Sequence, residues 1–280
     1  MRGGLTTAGT LRGRVCLVTG GASGIGLQLV RGLAESGARV HVCDLSPVRD
    51  HDISTQLAAC SVRFSLLDVT DRLGLEKWVR DVHESEGQID VLVHNAAFVR
   101  WTDVERMPVQ EAELHMRTGY DALVHLVSTA LPLMRAQGHG HVVAVGSSVG
   151  RLFVAGPSAA YAATKAAIEA YTEILRMELA DSGVAVTLVR PGVVRGTDFF
   201  RRHVPSTRMP RIADLLPATT PKAVADATVR AITDRRARVD VPRYLPLMYR
   251  LYALAPGSVR KLTALGGRAQ GDYTHGTELT

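Results

Sequence analysis

The chain has 280 residues and a mass of 30.1 kDa, enough for one large domain or two small ones. Its hydrophobic fraction of 46% and charged fraction of 21% exclude a disordered chain, a collagen and a coiled-coil rod. No apolar run reaches the roughly 18–20 residues that span a bilayer, and residues 1–10 lack the apolar core of a secretory signal. Because the three cysteines show no metal-binding spacing, we predict a reduced, cytoplasmic protein without a metal site.

The net charge of +6 is concentrated near the C-terminus. Residues 222–268 contain ten Lys or Arg against three Asp, so the rest of the chain is close to neutral. This basic segment has none of the aromatic patterns that are typical of nucleic-acid-binding folds. We therefore predict no nucleic-acid partner.

Apolar runs and helical patterns alternate along the chain. Strands are predicted at 15–18, 40–43, 62–67, 89–93, 141–145 and 184–189, with a short one at 238–241. Helices are predicted at 25–36, 73–86, 109–135 and 159–181. This alternation predicts an α/β fold with one doubly wound parallel sheet of about seven strands and helices on both faces.

The chain shows no linker between domains, so we predict one domain at 13–243, a flexible tail at 1–12 and a helical extension at 244–280. The connection 194–220 is rich in Arg and Pro, and its length predicts a lid over a site. The segment 244–255 is apolar around Arg250. It predicts a helix that packs on the domain or on another subunit, or else a shallow contact with a membrane surface.

A glycine cluster from Thr19 to Gly26 follows the first predicted strand and opens the first helix. Glycines also occur in ordinary tight turns. Between a strand and a helix, however, they let the backbone of the loop come close to a pyrophosphate bound at the helix N-terminus. Asp44 ends the second strand, where a carboxylate can accept hydrogen bonds from ribose hydroxyls and repel a 2′-phosphate. Asp44 could instead simply begin a turn. We predict NAD as the cofactor, with NADP less favoured.

Tyr161 and Lys165 lie four residues apart on a predicted helix, so both side chains project from one face. A neighbouring ammonium favours the phenolate, and we expect it to lower the pKa of Tyr161 so that the phenol exchanges protons near neutral pH. Ser148, after the fifth strand, is predicted to hold the oxygen of a substrate. The alternative is that the two side chains simply lie next to each other on an exposed helix surface.

Together these residues resemble the classical short-chain dehydrogenase/reductase family, which has a Rossmann fold, over the range from Arg14 to Val241. The family's glycine motif matches Thr19 to Gly26, and its Ser-Tyr-Lys set matches Ser148, Tyr161 and Lys165 at the usual thirteen-residue spacing between serine and tyrosine. Further family elements match Asp68, Asn95-Ala96-Ala97 and Pro191-Gly192-Val193-Val194. The cofactor-binding residues that the resemblance implies are Gly20, Ser23, Gly24, Ile25, Gly26, Asp44, Asp68, Val69, Asn95, Ala96, Tyr161, Lys165, Pro191, Gly192 and Val194.

The resemblance implies an oxidoreductase in which Tyr161 takes the proton of an alcohol while hydride passes to the nicotinamide. Lys165 would also hold the ribose, and Ser148 would orient the oxygen. One departure stands out. Gly119 occupies the position where most relatives have a helix asparagine that holds a water of the proton relay. A neighbour such as Thr118 or His115 could substitute, or the relay could be slower; we expect a water or the His115 imidazole to take over there.

Apolar residues predict the substrate class, although the connection 194–220 also carries arginines that could bind a carboxylate or phosphate of the substrate: Arg195, Arg201, Arg202, Arg208 and Arg211. Leu152, Phe153 and Val154 predict an apolar wall. The predicted lid also carries apolar side chains, which are Phe199, Phe200, Val204, Met209, Ile212, Leu215 and Leu216. We therefore expect a secondary alcohol or ketone on a steroid-, terpenoid- or lipid-like skeleton. The alternatives are an NADPH-linked 3-oxoacyl reductase and a weakly active dinucleotide-binding sensor or scaffold. The resemblance implies a homotetramer or a homodimer.

Overall fold

The structure is a computed structural model that describes residues 11–48, 57, 60–154, 156–195 and 217–264. Its strands form one parallel sheet in the order β3-β2-β1-β4-β5-β6-β7. The strand bounds are β1 Val15–Thr19, β2 Arg39–Asp44, β3 Val62–Leu66, β4 Val91–His94, β5 Gly140–Val145, β6 Val184–Pro191 and β7 Arg238–Val241. The predicted fold class is confirmed, and each predicted strand is present to within two residues.

The described helices cover both faces of the sheet. Their bounds are α1 Gly24–Glu35, α2 Arg72–Glu86, α3 Val109–Met116, α4 Ala122–Gln137, α5 Ala159–Glu178, α6 Pro221–Thr233, α7 Leu245–Leu254 and α8 Pro256–Ala264. One apolar core joins the sheet to α2, α4 and α5, and a second joins its other face to α1 and α6. The central strands β1, β4 and β5 are buried along their whole length, which explains their unbroken apolar runs.

Two helical features differ from the sequence prediction. The single helix predicted at 109–135 is divided by a π-helical turn at Arg117–Asp121. Helix α6 was not predicted, although its start carries two sequence signals. The Thr220 side chain accepts a hydrogen bond from the backbone N–H of Ala223, and Pro221 occupies the first helical position.

The outer segments are described in part. Leu11, which the prediction gave to the tail, is 6% exposed and packs in the second core. The two ends of the predicted lid are held together, because Val194 pairs with Thr219 and the Arg195 N–H donates to the Thr219 carbonyl at 2.9 Å. Residues 196–216, with all the apolar residues predicted to cover a substrate, lie outside the described residues.

The order of the strands in the sheet determines where a ligand site is expected. The strand order reverses between β1 and β4, and the carboxyl ends of these two strands frame a crevice of the kind in which parallel α/β folds bind ligands. The predicted glycine cluster follows β1 and Asn95 follows β4, so both lie at this edge. None of the described helices is both long and apolar enough to cross a membrane.

Candidate active site

A cavity of about 470 Å³ opens at the carboxyl edge of the sheet. It brings together most of the predicted site residues from both halves of the chain. Those that line it are Gly20, Ser23, Gly24, Ile25, Asp44, Asp68, Val69, Asn95, Ala96, Tyr161, Lys165, Pro191, Gly192 and Val194. Two predicted residues, Gly26 and Ser148, do not line it.

The glycine loop forms a cradle that a side chain would fill. Gly20 has a φ of +67°, and a Cβ there would lie 2.8 Å from the Cα of Ala96. Gly26 lies behind the loop, where a Cβ would overlap the carbonyl oxygen of Gly20. Ser23 begins α1 without a capping hydrogen bond to its side chain, and the first turn of this described helix contains no acidic residue. The first N–H groups of α1 are therefore open to an anion such as a pyrophosphate.

Asp44 lies at the far end of the cavity, at the tip of β2. One carboxylate oxygen accepts the N–H of Ala22 at 2.9 Å and the other accepts the N–H of Ser46 at 3.2 Å. These contacts fix the carboxylate beside the glycine loop while it still lines the cavity. Asp68 lines the same end, and its Oδ1 accepts both the N–H and the hydroxyl of Thr70 at 2.8 Å.

Asn95 joins β4 to the glycine loop. Its side-chain amide donates to the carbonyls of Gly20 at 2.8 Å and Thr19 at 3.3 Å. Its backbone N–H and that of Ala96 donate to the Thr19 hydroxyl oxygen at 3.1 and 3.2 Å. Asn95 therefore holds the loop in the open shape that the cradle needs.

His94 is a positioning residue that the sequence prediction missed. It is 1% exposed, its Nε2 lies 2.8 Å from the carbonyl oxygen of Gly119, and its Nδ1 lies 3.1 Å from the Thr19 hydroxyl. A carbonyl only accepts, so Nε2 carries the proton and Nδ1 accepts from Thr19. This neutral ring connects the end of β1 to the π turn that precedes α4.

The space at Gly119 is filled by protein. A Cβ on Gly119 would overlap the Thr164 methyl group, so any side chain there requires Thr164 to move. The expectation that His115 takes over at this position is wrong. Its Nδ1 donates to the Glu111 carbonyl at 2.8 Å, and its Nε2 accepts the Arg100 N–H at 3.2 Å. Both ring nitrogens are thus engaged with backbone groups.

We expect the free energy of unfolding to fall as the pH is lowered below about 6.5. Burial, with the charge of Lys165 adding to it, lowers the pKa of His94 to about 3, whereas an unfolded histidine has a pKa near 6.5. Between these values the unfolded chain binds a proton that the folded chain excludes, so stability declines with falling pH by up to about 1.4 kcal/mol per pH unit for this residue.

Urea unfolding between about pH 7 and pH 5 measures this dependence. His141, whose pKa burial lowers to about 4, contributes in the same direction, so a His94→Gln variant should show a smaller slope and not a flat one. Equal slopes for the two proteins would contradict a neutral, buried His94.

Ser147, not the predicted Ser148, lines the cavity together with the phenol. The Ser147 side chain acts on the Tyr161 hydroxyl in the direction that lowers the pKa of the phenol. Ser148 begins a 3₁₀ turn at Ser148–Gly150, for which the Ser147 side chain is the N-terminal cap. The thirteen-residue count assumed a fixed loop length before Tyr161. Strand β5 ends at Val145, and the second residue after it, Ser147, is the serine that lines the cavity.

Tyr161 and Lys165 lie on α5 as predicted, but their electrostatics differ from the prediction. Burial raises the pKa of Tyr161 to about 12, and the hydrogen bond from Ser147 only partly opposes it. Lys165 Nζ lies 5.8 Å from the centroid of the Tyr161 ring and donates to the Val145 carbonyl at 3.0 Å. Burial also lowers the pKa of Lys165 to about 8. The lost hydration of the phenolate therefore outweighs the attraction of the ammonium.

Part of the remaining cavity wall is apolar. Phe98 and Leu114 line it, and Tyr161 packs in a small cluster with Val99 and Trp101. The apolar wall predicted at Leu152, Phe153 and Val154 does not line the cavity. The described residues contain no group of three or more His, Cys, Asp or Glu side chains placed to hold a metal ion.

Comparisons with known proteins agree with this geometry. The family model for short chain dehydrogenase matches residues 14–207. The chain belongs to the classical short-chain dehydrogenase family. A tropinone reductase homologue of Arabidopsis thaliana is 31% identical over 200 residues, 70% of this chain and 76% of the relative. An uncharacterised oxidoreductase of Staphylococcus aureus is 29% identical over 223 residues, 80% of this chain and 92% of the relative.

A solved structure extends the likeness to three dimensions. The crystal structure of gox2181 has a TM-score of 0.72 and 28% identity, and the match covers 86% of this chain and 100% of that chain. As a short-chain dehydrogenase, the chain is an oxidoreductase that uses a nicotinamide dinucleotide. The glycine cradle, the open N-terminus of α1 and the carboxylate of Asp44 are the donors and acceptors that such a cofactor requires.

Proposed function

We propose that this short-chain dehydrogenase transfers hydride between NAD(H) and a secondary alcohol or ketone, with Tyr161 as the proton donor and acceptor. One observation carries the proposal. The Tyr161 phenol, the Ser147 hydroxyl and the Lys165 ammonium line the same cavity as the glycine cradle. The bound dinucleotide supplies or accepts the hydride, and the protein supplies position and the proton.

Each side chain has a separate task. Tyr161 exchanges its hydroxyl proton with the oxygen of the substrate. Ser147 donates to that oxygen, which is the role that the sequence predicted for Ser148. Lys165, held at the Val145 carbonyl, presents an ammonium for the ribose hydroxyls of the nicotinamide half. Because burial raises the pKa of Tyr161 to about 12, the phenol is protonated at neutral pH and can donate a proton to a ketone.

The preference for NAD rests on Asp44. Its carboxylate lines the end of the cavity and is fixed by the N–H groups of Ala22 and Ser46. A carboxylate there accepts hydrogen bonds from both hydroxyls of the adenosine ribose, and it repels a 2′-phosphate. The wall around it includes Leu45 and Ser46, neither of which offers a positive charge.

Replacing Asp44 with Asn is expected to shift the preference toward NADP. An asparagine oxygen still accepts the Ala22 N–H, so the glycine loop keeps its support while the negative charge disappears. Hydrogen bonds to a charged group contribute about 1.5–3 kcal/mol, so we expect the ratio of kcat/KM for NAD to that for NADP to fall by roughly 10- to 100-fold.

Steady-state kinetics with both cofactors measures the ratio. Asp71→Asn, a change at the N-cap of α2 outside the cavity, is the matched control and should leave the ratio unchanged. The proposed preference for NAD would be contradicted if the ratio were unchanged in Asp44→Asn, or if the wild-type protein were active with NADP and inactive with NAD. The second outcome would favour the NADPH-linked 3-oxoacyl reductase.

The substrate we propose has an apolar skeleton. Phe98 and Leu114 line the cavity next to Tyr161, and Trp101 and Val99 pack around the phenol. A hydrophobic alcohol or ketone buries its carbon skeleton against such a wall, which stabilises binding by about 25 cal/mol per Å². A panel of secondary alcohols of increasing apolar size tests this proposal, and a preference for short, charged alcohols would contradict it.

A weakly active dinucleotide-binding protein is the second candidate, because burial raises the pKa of Tyr161 and Lys165 is bonded to the Val145 carbonyl. Saturable NAD binding without turnover of any alcohol or ketone would favour it.

A homodimer or homotetramer completes the proposal. It is supported by the apolar side chains of Ile174 and Met177 on α5, which are 52% and 65% exposed. We propose a cytoplasmic location for it. Sedimentation velocity of the purified chain tests the assembly.

A further inference from the structure

Helix α7 carries an exposed row of leucines that the catalytic proposal does not use. Leu247, Leu251 and Leu254 are 58%, 45% and 85% exposed, and their spacing places them on one face of the helix. We call these three residues the α7 stripe. Leu245 and Tyr249 on the opposite face are 3% and 7% exposed. The helix therefore buries one face in the domain and presents an equally apolar face outward.

The buried face is fixed to the sheet. Arg190, at the end of β6, forms a two-pronged ion pair with Asp240 on β7, with both N···O distances at 2.8 Å. The guanidinium carbon also lies 4.7 Å from the centre of the Tyr249 ring. Since Arg190 itself is 4% exposed, this contact is desolvated and holds α7 in a set orientation. The outward direction of the α7 stripe is thus part of the fold.

Apolar residues from two other elements are exposed beside α7. Phe153, 46% exposed, makes an edge contact with Tyr252 of α7 at 6.4 Å between ring centroids. Leu262 on the following helix α8 is 53% exposed. α8 is tied to α7 because the guanidinium of Arg260 donates to the Tyr252 hydroxyl at 2.7 Å.

The charged side chains of the segment that carries this surface are all basic. Residues 241–264 contain four basic side chains and no Asp or Glu. The basic residues are Arg243, Arg250, Arg260 and Lys261, and all but Arg243 lie on α7 or α8. An exposed apolar stripe flanked by positive charge is complementary to a surface that has an outer layer of negative charge over an apolar interior.

Two other occupants fit less well. A second copy of the chain would bring the same four positive charges against themselves, because the interface of a symmetric dimer uses one patch twice. The 16 residues that follow, 265–280, consist mostly of Gly, Thr and other polar residues, so they offer few apolar side chains to cover the stripe.

We propose that α7 and α8 dock on the surface of an anionic lipid bilayer, with the α7 stripe entering the interface and the basic side chains at the level of the headgroups. Ten residues give α7 a length of about 15 Å, so it lies along the interface and does not cross the membrane. The proposal does not depend on the proposed reaction, since none of the docking residues lines the catalytic cavity.

Vesicle co-sedimentation of the full chain tests the docking. We compare vesicles of phosphatidylcholine alone with vesicles that also contain phosphatidylglycerol. We expect binding to the anionic vesicles, at least tenfold weaker binding to the neutral ones, and weakening by added salt. No binding to anionic vesicles, or equal binding to both kinds, would overturn the proposal.

Two variants separate the stripe from a general surface effect. The double variant Leu251→Gln, Leu254→Gln should weaken binding to anionic vesicles at least tenfold, and Arg250→Gln should weaken it less. Leu73→Gln is the matched control, because Leu73 on α2 is 76% exposed and far from α7 in the chain. Equal losses in the control and the double variant would overturn the proposal.

Two further readouts keep the outcomes distinct. If the double variant changes the oligomeric state and leaves vesicle binding intact, the stripe is an interface between copies and the proposal is wrong. Measuring NAD binding of every variant separates docking from catalysis. An inactive chain that still binds anionic vesicles would refute the proposed function and leave the docking in place.

Discussion

Replacing Tyr161 with phenylalanine is expected to lower kcat by roughly a thousandfold while NAD binding stays close to wild type. Removing the hydroxyl removes the proton that the substrate oxygen exchanges, and positioned acid–base groups contribute about 10²- to 10⁴-fold to rates. The phenylalanine ring keeps the packing with Val99 and Trp101, so the wall of the cavity is preserved. Steady-state kinetics together with a titration of cofactor binding measures both quantities.

The control for this substitution is Tyr120→Phe. Tyr120 lies in the π turn, contacts the Tyr171 ring at 5.9 Å and does not line the cavity, so kcat should be unchanged. If wild type and Tyr161→Phe turn over every alcohol and ketone equally slowly although both bind NAD, Tyr161 is not the proton donor. The protein would then be a dinucleotide-binding sensor or scaffold.

The raised pKa of Tyr161 determines the protonation state of its phenol. Burial raises its pKa to about 12, so the phenol is the protonated species throughout the neutral range. Donation to a ketone can begin from this state, whereas removing a proton from an alcohol first requires the phenolate to be stabilised. A cation placed in the cavity would do so. The lysine alone does not, since its Nζ lies at the Val145 carbonyl.

The sheet and the cofactor cradle could be predicted from the sequence because their causes are local. A parallel strand covered on both faces must be apolar throughout, and a chain that approaches a pyrophosphate at a helix N-terminus needs glycine. Gly20 and Gly26 meet that requirement in the structure, since a Cβ at either position would meet backbone atoms. The location of Asp44 and Asn95 at the site could be predicted because each lies at the end of a strand.

The surroundings of Gly119 could not be predicted because they depend on contacts between distant segments. The Thr164 methyl group fills the space beside Gly119, and His94 binds its carbonyl from 25 positions away in the chain. A helical pattern contains no sign of the π turn, since the residues on both sides remain helical. His115 looked suitable from its position one turn earlier, but backbone groups of Glu111 and Arg100 engage its ring.

The two adjacent serines provide the clearest comparison between chain counting and geometry. Counting back from Tyr161 selects Ser148, whereas the structure places Ser147 in the lining of the cavity that the phenol also lines. Both are partly exposed, both follow β5, and they are chemically identical. Replacing either serine with alanine therefore removes the same hydroxyl group, and the two variants differ only in its location.

Ser147→Ala is expected to lower kcat/KM for an alcohol or ketone by about 100-fold, because removing one preorganised donor to a reacting oxygen costs roughly 10²- to 10³-fold. Ser148→Ala should stay within about twofold of wild type, since a surface-type change away from the site usually costs less than about 0.5 kcal/mol. Kinetics of the two variants side by side measures the difference, and NAD binding should be the same in both. The reverse pattern, with Ser148→Ala inactive and Ser147→Ala active, would return the oxygen-orienting role to the serine found by counting. It would also require the loop after β5 to shift by one residue when substrate binds.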